Sequence, residues 1–425
     1  MIRTILPVFL IFFVIRPFGT VGTSVESPVI NEFTELKVRE GLPNFFEKVL
    51  LNDTVKVAYL GGSITAQPGW RVFSFNWFRE LYPKPVFTEI NAAIGGTASD
   101  FGAFRLQKQV MSLNPDLVFV EFAVNDSHRP EEKIIRSVES IVRKIWEQNP
   151  GIDICLVYTL KEDFLKVELS GELPSSIVAM EKVAERYGIP SVNFGFEVSR
   201  MVAKNELVFT AKEKEKNGIP VFSPDGVHPY PETGHQIYFG ALKRSFEKLN
   251  EMDSPGFHKH VLPQPLHPNC FSNPQLVDIT SARLSTGWEY IQTGTNPLFS
   301  GFSGHLEKLG KAKPGETLSF RFKGKAVGIY DIMGPDAGKI TFEIDGVVKD
   351  TIYRFDEYCT YRRMNYLLFD NLEDKEHRVV FKVLSDPVDK AAILSKRGNV
   401  MNNPDDYREN NWYVGKLLVD GIILP

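Results

Sequence analysis

Four short stretches carry side chains whose types and spacing could cleave an acyl bond. VAYLGGSITA (57–66) ends an apolar run in Gly-Gly-Ser, which places Ser63 on a sharp turn where small neighbours leave its hydroxyl open to another group. DGVHP (225–229) sets Asp225 three residues before His228, with a glycine that permits a tight loop and a proline that stiffens its exit. An aspartate beside a histidine fixes the ring's tautomer and stabilises the imidazolium formed when it takes a proton from a hydroxyl. EFAVNDS (121–127) offers the side-chain amide of Asn125, and NAAIGGTASDFG (91–102) offers the backbone donors of Gly95 and Gly96. Taken singly, GGS is an ordinary strand-to-helix turn and DGVHP an Asx-type surface turn. Together they supply a nucleophile, backbone donors, an amide donor and an acid–histidine pair.

The elements that must position these groups are legible between 27 and 250. VKVAYL, VFTEINA, DLVFVEFA, IDICLVYT and PSVNF read as strands, most of them nearly unbroken apolar runs of the kind a sheet covered on both faces requires. SFNWFRELY, FGAFRLQKQVMS, PEEKIIRSVESIVRKIWEQ and SSIVAMEKVAERYG read as the helices between them. Strands alternating with helices imply right-handed crossovers and a parallel sheet, with function at the carboxyl ends of the strands. All four stretches fall there.

With these blocks in this order, the sequence resembles the SGNH family of serine hydrolases, also called GDSL-type esterases. The resemblance covers roughly the first 250 residues and speaks to reaction type rather than to substrate. It implies an α/β fold, a flavodoxin-like three-layer α/β/α sandwich with a parallel sheet. It also implies that Ser63 is the nucleophile, that Asp225 and His228 complete the proton path, and that Ser63, Gly96 and Asn125 form the oxyanion hole. No cofactor enters such a mechanism. Gly62 stands where the family has the aspartate of Gly-Asp-Ser-Leu, Ile64 where it has leucine, and Ala123 where a glycine usually opens the third block. None of these changes removes a group from the proton path.

Several neighbours invite a role. Trp70 and Arg71, shortly after the serine, are candidates for lining the acyl or sugar site, or else a packing pair at a helix start. His235 lies seven residues after His228, but no cysteine or third close ligand completes a zinc pattern, so no metal is expected there and His235 is placed in the first turns of a helix. Asp126 either orients Asn125 or caps its turn. GGTASDFG lacks dinucleotide-binding spacing.

A length of 425 residues suits two domains, and 43% hydrophobic with 24% charged residues is ordinary globular composition. A net charge of -4 without a dense basic stretch gives no reason to expect nucleic acid as a partner. Residues 1–24 have the order of a secretory signal: Arg3, an apolar run from Ile5 to Ile15 too short to span a bilayer comfortably, then small residues. The expectation is a secreted or periplasmic protein whose mature chain does not insert into a membrane. The three cysteines, Cys155, Cys270 and Cys359, allow at most one disulfide; Cys155 is expected buried and unpaired, and whether Cys270 and Cys359 pair is open.

Residues 251–270, rich in proline and histidine, read as a linker or strap, with His258, His260 and His267 solvated. From 271 to 425, short alternating strands bounded by Gly, Asp and Asn predict an antiparallel, jelly-roll-like β-sandwich. Trp288, Tyr290, Tyr361 and Trp412 are either sugar-stacking platforms or core, and 385–411 is a long polar insertion. An exported hydrolase joined to a β-sandwich resembles the modular layout of carbohydrate-active enzymes. The resulting expectation is an esterase removing O-acyl, above all O-acetyl, groups from an acylated carbohydrate. The alternatives are a lipid or aryl esterase of the same fold and a non-catalytic glycan-binding protein on a hydrolase scaffold.

Overall fold

The apolar runs assemble into a six-stranded sheet of β1 (Leu36–Lys37), β2 (Val55–Gly61), β3 (Phe87–Ala93), β4 (Leu117–Glu121), β5 (Asp153–Tyr158) and β6 (Ser191–Asn193), in the order β1-β6-β5-β4-β2-β3. The structure is a computed structural model that describes residues 33–252 and 255–425, so the expected signal segment lies outside the described residues. β2 to β6 pair in parallel. Every residue of β4 and β5 is buried, the burial that their unbroken apolar character requires. β1 adds an antiparallel edge too short to leave a pattern in the sequence.

Helices cover both faces. α1 (Pro43–Leu50), α3 (Trp70–Leu81) and the helix Gly234–Met252 share one face, where Phe45 and Phe78 both meet Phe246, with centroids 5.9 and 5.2 Å apart. The short α2 (Ser63–Ala66) turns out of β2. α4 (Ser99–Gln109), α5 (Glu131–Gln148) and the helix Ser175–Tyr187 take the other face. α5 is helical for plain reasons: Ile134, Val138, Ile141, Val142 and Ile145 form one buried stripe, and Glu131 and Glu132 favour its first turn. Counted from β2, the parallel strands run 2-1-3-4-5, the flavodoxin-like order. The chain leaves β2 for β3 on one side and returns to β4 on the other. A crevice therefore opens between the ends of β2 and β4, which lead into Ser63 and Asn125.

The C-terminal domain is a ten-stranded antiparallel sheet wrapped around Leu318, Phe320, Phe342, Phe381 and Trp412. TLSFRFKG and AVGIYDI, expected as two strands, are one, Thr317–Met333. A register shift between Gly324 and Ala326 bends it without breaking it. Its first half pairs with Lys375–Val383 and its second with Arg363–Phe369, so one strand pairs with two neighbours along the same edge. The polar insertion is packed rather than loose: Leu394 and Tyr407 join Met333, Phe355 and Cys359, and Lys390 Nζ donates to the carbonyls of Pro335 and Tyr407 at 3.0 and 2.9 Å. Trp412 is core, whereas Tyr290 and Tyr361 are exposed. All three cysteines are free.

The expected linker is a strap bound to the first domain. His260 is only 6% exposed, not solvated, because its ring stacks on Trp146 at 4.5 Å. The N–H groups of Leu266 and His267 donate to Glu139 at 2.6 and 2.8 Å. Beyond it, the two domains share one apolar cluster: Phe271, Tyr330 and Leu418 are continuous with the core of the parallel sheet. Phe101 of α4 packs against both Tyr330 and Tyr366, each at 4.7 Å, and buried Arg136 of α5 pairs with Asp370. A chain ending at Met252 would bare this face of α4 and α5 to water. Such a truncation is expected to aggregate or to melt well below the full chain, read by gel filtration and thermal denaturation; a soluble monomer of unchanged melting temperature would contradict the shared core.

Candidate active site

Ser63 begins α2 directly after β2, and the two glycines before it make the turn possible by close approach. A Cβ on Gly62 would lie 2.0 Å from Asn125 Oδ1, so the asparagine side chain occupies the space that any larger residue at 62 needs. In this chain, glycine is therefore the residue that fits at 62, where the resemblance leads one to expect aspartate. Gly95 closes the other side, where a Cβ would sit 3.5 Å from Ser63 Cβ. Gly96 follows in the left-handed region at φ 72° and is exposed.

The structure brings the distant acid–histidine pair onto this turn. His228 Nε2 lies 2.9 Å from Ser63 Oγ, and His228 Nδ1 lies 2.8 Å from Asp225 Oδ2. Asp225 Oδ1 accepts from the backbone N–H groups of Val227 and His228 at 3.0 and 2.8 Å. Partial burial raises the Asp225 carboxyl, but the hydrogen bonds from His228 and Val227 and the charge of His228 outweigh it and hold the carboxyl down at about 2. Ser223 secures the loop, its Oγ donating to His228 O at 2.8 Å and accepting from Gly226 N at 3.0 Å. A hydroxyl bonded to an imidazole that is oriented by a carboxylate is the arrangement an activated serine needs.

Asn125 is half-buried beside Gly62 and makes no hydrogen bond to the described residues, so its amide is not consumed by its own turn. Its neighbour Asp126 is fully buried and neither orients it nor caps that turn. Asp126 Oδ1 accepts from Ser99 N at 3.2 Å, tying the loop after β4 to the first turn of α4, and burial pushes its carboxyl up to about 7. The loop is also held from the C-terminal domain: Arg129 donates to Asp100 at 2.5 Å and to Tyr366 Oη at 2.8 Å, while Tyr366 Oη donates to Asp100 at 2.6 Å.

Trp70 and Arg71 do not line the site. Trp70 is 0% exposed and packs edge-on to Tyr59, Phe119 and Phe194, because the first turn of α3 faces the sheet. Arg71 is buried too, donating to Thr65 O at 2.9 Å and pairing with Glu89. Their packing carries His235, whose Nδ1 accepts from Trp70 N at 3.2 Å. Burial, with a smaller push from His228, drops the His235 imidazole to about 4.

Glu121 escaped the sequence reading altogether. It ends β4 fully buried, its oxygens accepting from Thr159 Oγ1 at 2.7 Å and Thr65 Oγ1 at 2.8 Å, with the Gly62 N–H as a further donor. Burial raises its carboxyl against these donors. It thereby fastens the turn before Ser63 to the end of β4, where Asn125 begins its loop. The available signal was a lone acid in the apolar run LVFVEFA, since a buried carboxyl must find partners.

No curated protein matches the chain significantly. Two solved structures of a two-domain esterase (CEX) active on acetylated mannans, one co-crystallised with mannopentaose, superpose with TM-scores of 0.69 and 0.68 at 18% identity, over 90% of this chain and 96% and 95% of theirs. At that identity the likeness is one of fold, and it extends over both domains. An acetyl xylan esterase, AlAXEase, is 21% identical over 45% of this chain and 98% of its own, with a TM-score of 0.35. Residues 59–237 match the family model of the GDSL-like lipase/acylhydrolase family, a span that includes Ser63, Gly96, Asn125, Asp225 and His228. The chain thus carries a GDSL-like lipase/acylhydrolase domain of the SGNH type and is an ester-hydrolysing enzyme.

Proposed function

We propose that this protein is an exported carbohydrate O-acylesterase that removes O-acetyl groups from a polysaccharide through an acyl-enzyme on Ser63. The observation that carries the chemistry is the unbroken hydrogen-bonded chain Ser63–His228–Asp225, next to an asparagine amide with no partner among the described residues. Ser63 Oγ attacks the ester carbonyl as His228 Nε2 takes its proton, and Asp225 holds the ring's tautomer and balances the imidazolium. The tetrahedral oxyanion is met by the backbone N–H groups of Ser63 and Gly96 and by Asn125 Nδ2. His228 then gives the proton to the sugar oxygen as its bond to the carbonyl carbon breaks, and water, deprotonated by the same ring, attacks the acyl-enzyme and releases acetate.

The carbohydrate part of the reading draws support from two features. The full two-domain layout is shared with an esterase described as active on acetylated mannans. Two exposed residues near Ser63 are small or polar rather than apolar: Gly95, against its side chain, and Asp225, linked to it through His228. Export rests on the signal-like character of residues 1–24. The test is acetate release from a panel of acetylated polysaccharides, run beside acetate and long-chain chromogenic esters. Acetate release from at least one polysaccharide is expected; long-chain hydrolysis with no acetate from any of them would overturn the carbohydrate reading.

The crowding at Gly62 yields a sharper expectation. Gly62→Ala must push Asn125 aside, so it should lower turnover by the same order as loss of the asparagine itself while the protein stays folded. Steady-state kinetics with circular dichroism check this, and near-wild-type turnover would mean that Asn125 is not a donor from its present position.

A further inference from the structure

A second cluster of chemically active side chains lies at the opposite end of the sheet from Ser63, where the strap crosses the first domain. One ligand atom each from Glu40, His258 and His260 come within 4.8 Å of one another. His258 Nε2 and Glu40 Oε2 are 3.8 Å apart, and the two imidazoles stand edge to face with centroids 5.2 Å apart.

The hydrogen bonds around His260 identify which of its atoms is left to bind something. Its Nε2 lies 2.8 Å from Asp153 Oδ1, and Asp153, fully buried at the start of β5, also accepts from Phe45 N at 2.7 Å and Asn44 Nδ2 at 3.1 Å. An aspartate that accepts from two N–H groups accepts from His260 as well, which puts the ring proton on Nε2 and the lone pair on Nδ1. Nδ1 is buried and has no partner among the described residues. A buried acceptor without a donor is costly, and a Lewis acid is one species that satisfies it. A carboxylate on the far nitrogen is also the partner that a metal-bound histidine ordinarily has.

The backbone of all three residues is already fixed. Glu40 N donates to Gly188 O at 3.0 Å, and His260 N to Pro150 O at 2.9 Å. His258 is bonded twice to the Asn44 side chain, through its N–H at 2.7 Å and its carbonyl at 2.9 Å. Only the side chains of Glu40 and His258, both exposed, need to turn to bring three donors to the ~2.0–2.2 Å bonds of a zinc-type ion. Two imidazoles with one carboxylate suit zinc and its neighbours over calcium or magnesium, which prefer all-oxygen sets.

We propose that Glu40, His258 and His260 bind one divalent ion of the zinc type, which clamps the interdomain strap onto the first domain. Asp153 orients His260 from behind, and water fills the open fourth position. The ion serves the fold, not the ester chemistry at the far end of the sheet.

The test uses the full chain, stripped with chelator and titrated with Zn²⁺ by calorimetry, with the melting temperature followed in parallel. One equivalent is expected to bind and to raise the melting temperature, while Mg²⁺ and Ca²⁺ do neither. His258→Ala and Glu40→Gln, both exposed positions, should leave the metal-free melting temperature unchanged and weaken Zn²⁺ binding at least tenfold. His260→Gln should abolish binding, but since it also breaks the buried bond to Asp153 the two exposed variants decide. Absence of one-to-one binding, or an affinity untouched by His258→Ala, would overturn the proposal, the latter by moving the ion to another histidine.

Discussion

Ser63→Ala is expected to leave a folded protein whose ester hydrolysis has fallen by at least ~10⁴-fold. Removing the nucleophile of a serine triad forfeits nearly everything the triad contributes, leaving only what binding and the oxyanion donors supply. The fold should hardly notice, because Ser63 is half-buried and its hydroxyl has, among the described residues, His228 as its one hydrogen-bond partner. Alanine also keeps the helix-forming character of α2. Turnover and melting temperature on one preparation separate the two effects. A mutant retaining more than a few per cent of activity would place the nucleophile elsewhere.

Asn125→Ala should come next in size, with turnover down ~10²–10³-fold and the Michaelis constant nearly unchanged. The charge that the amide meets exists only in the transition state, so its loss leaves ground-state binding alone. An asparagine bonded within its own turn would behave differently, losing stability first and activity only through unfolding. Asn125 has no such bond among the described residues, so its melting temperature should stay close to wild type. Activity lost only in proportion to unfolding would show that the oxyanion donors lie elsewhere.

What could be read from the sequence follows from how local each feature is. β2, β4 and β5 announced themselves because a strand covered on both faces needs an apolar residue at nearly every position, and chemical blocks follow β2, β3 and β4 within a few residues. Trp70 and Arg71 were ambiguous for the converse reason: a helix start near the serine does not say which side of the helix meets the sheet, and here both side chains turn inward. His260 is bound by Asp153, 107 residues away, a pairing that no local pattern encodes. The bend at Gly324–Ala326 keeps the alternation on either side of it, so one long strand looked like two. Glu121 and the contact of Tyr366 with Arg129 and Asp100 show the same limit: they hold the site in place through neighbours that only the fold brings together.

The most direct measurement is covalent. The full chain should be treated with a serine-directed phosphonate, digested, and its peptides weighed by mass spectrometry, with ester hydrolysis followed on the same sample. The account predicts one modified residue, Ser63, with labelling and loss of activity rising together, and no labelling of Ser63→Ala. Modification of a different residue, or full inactivation without a label on Ser63, would contradict it.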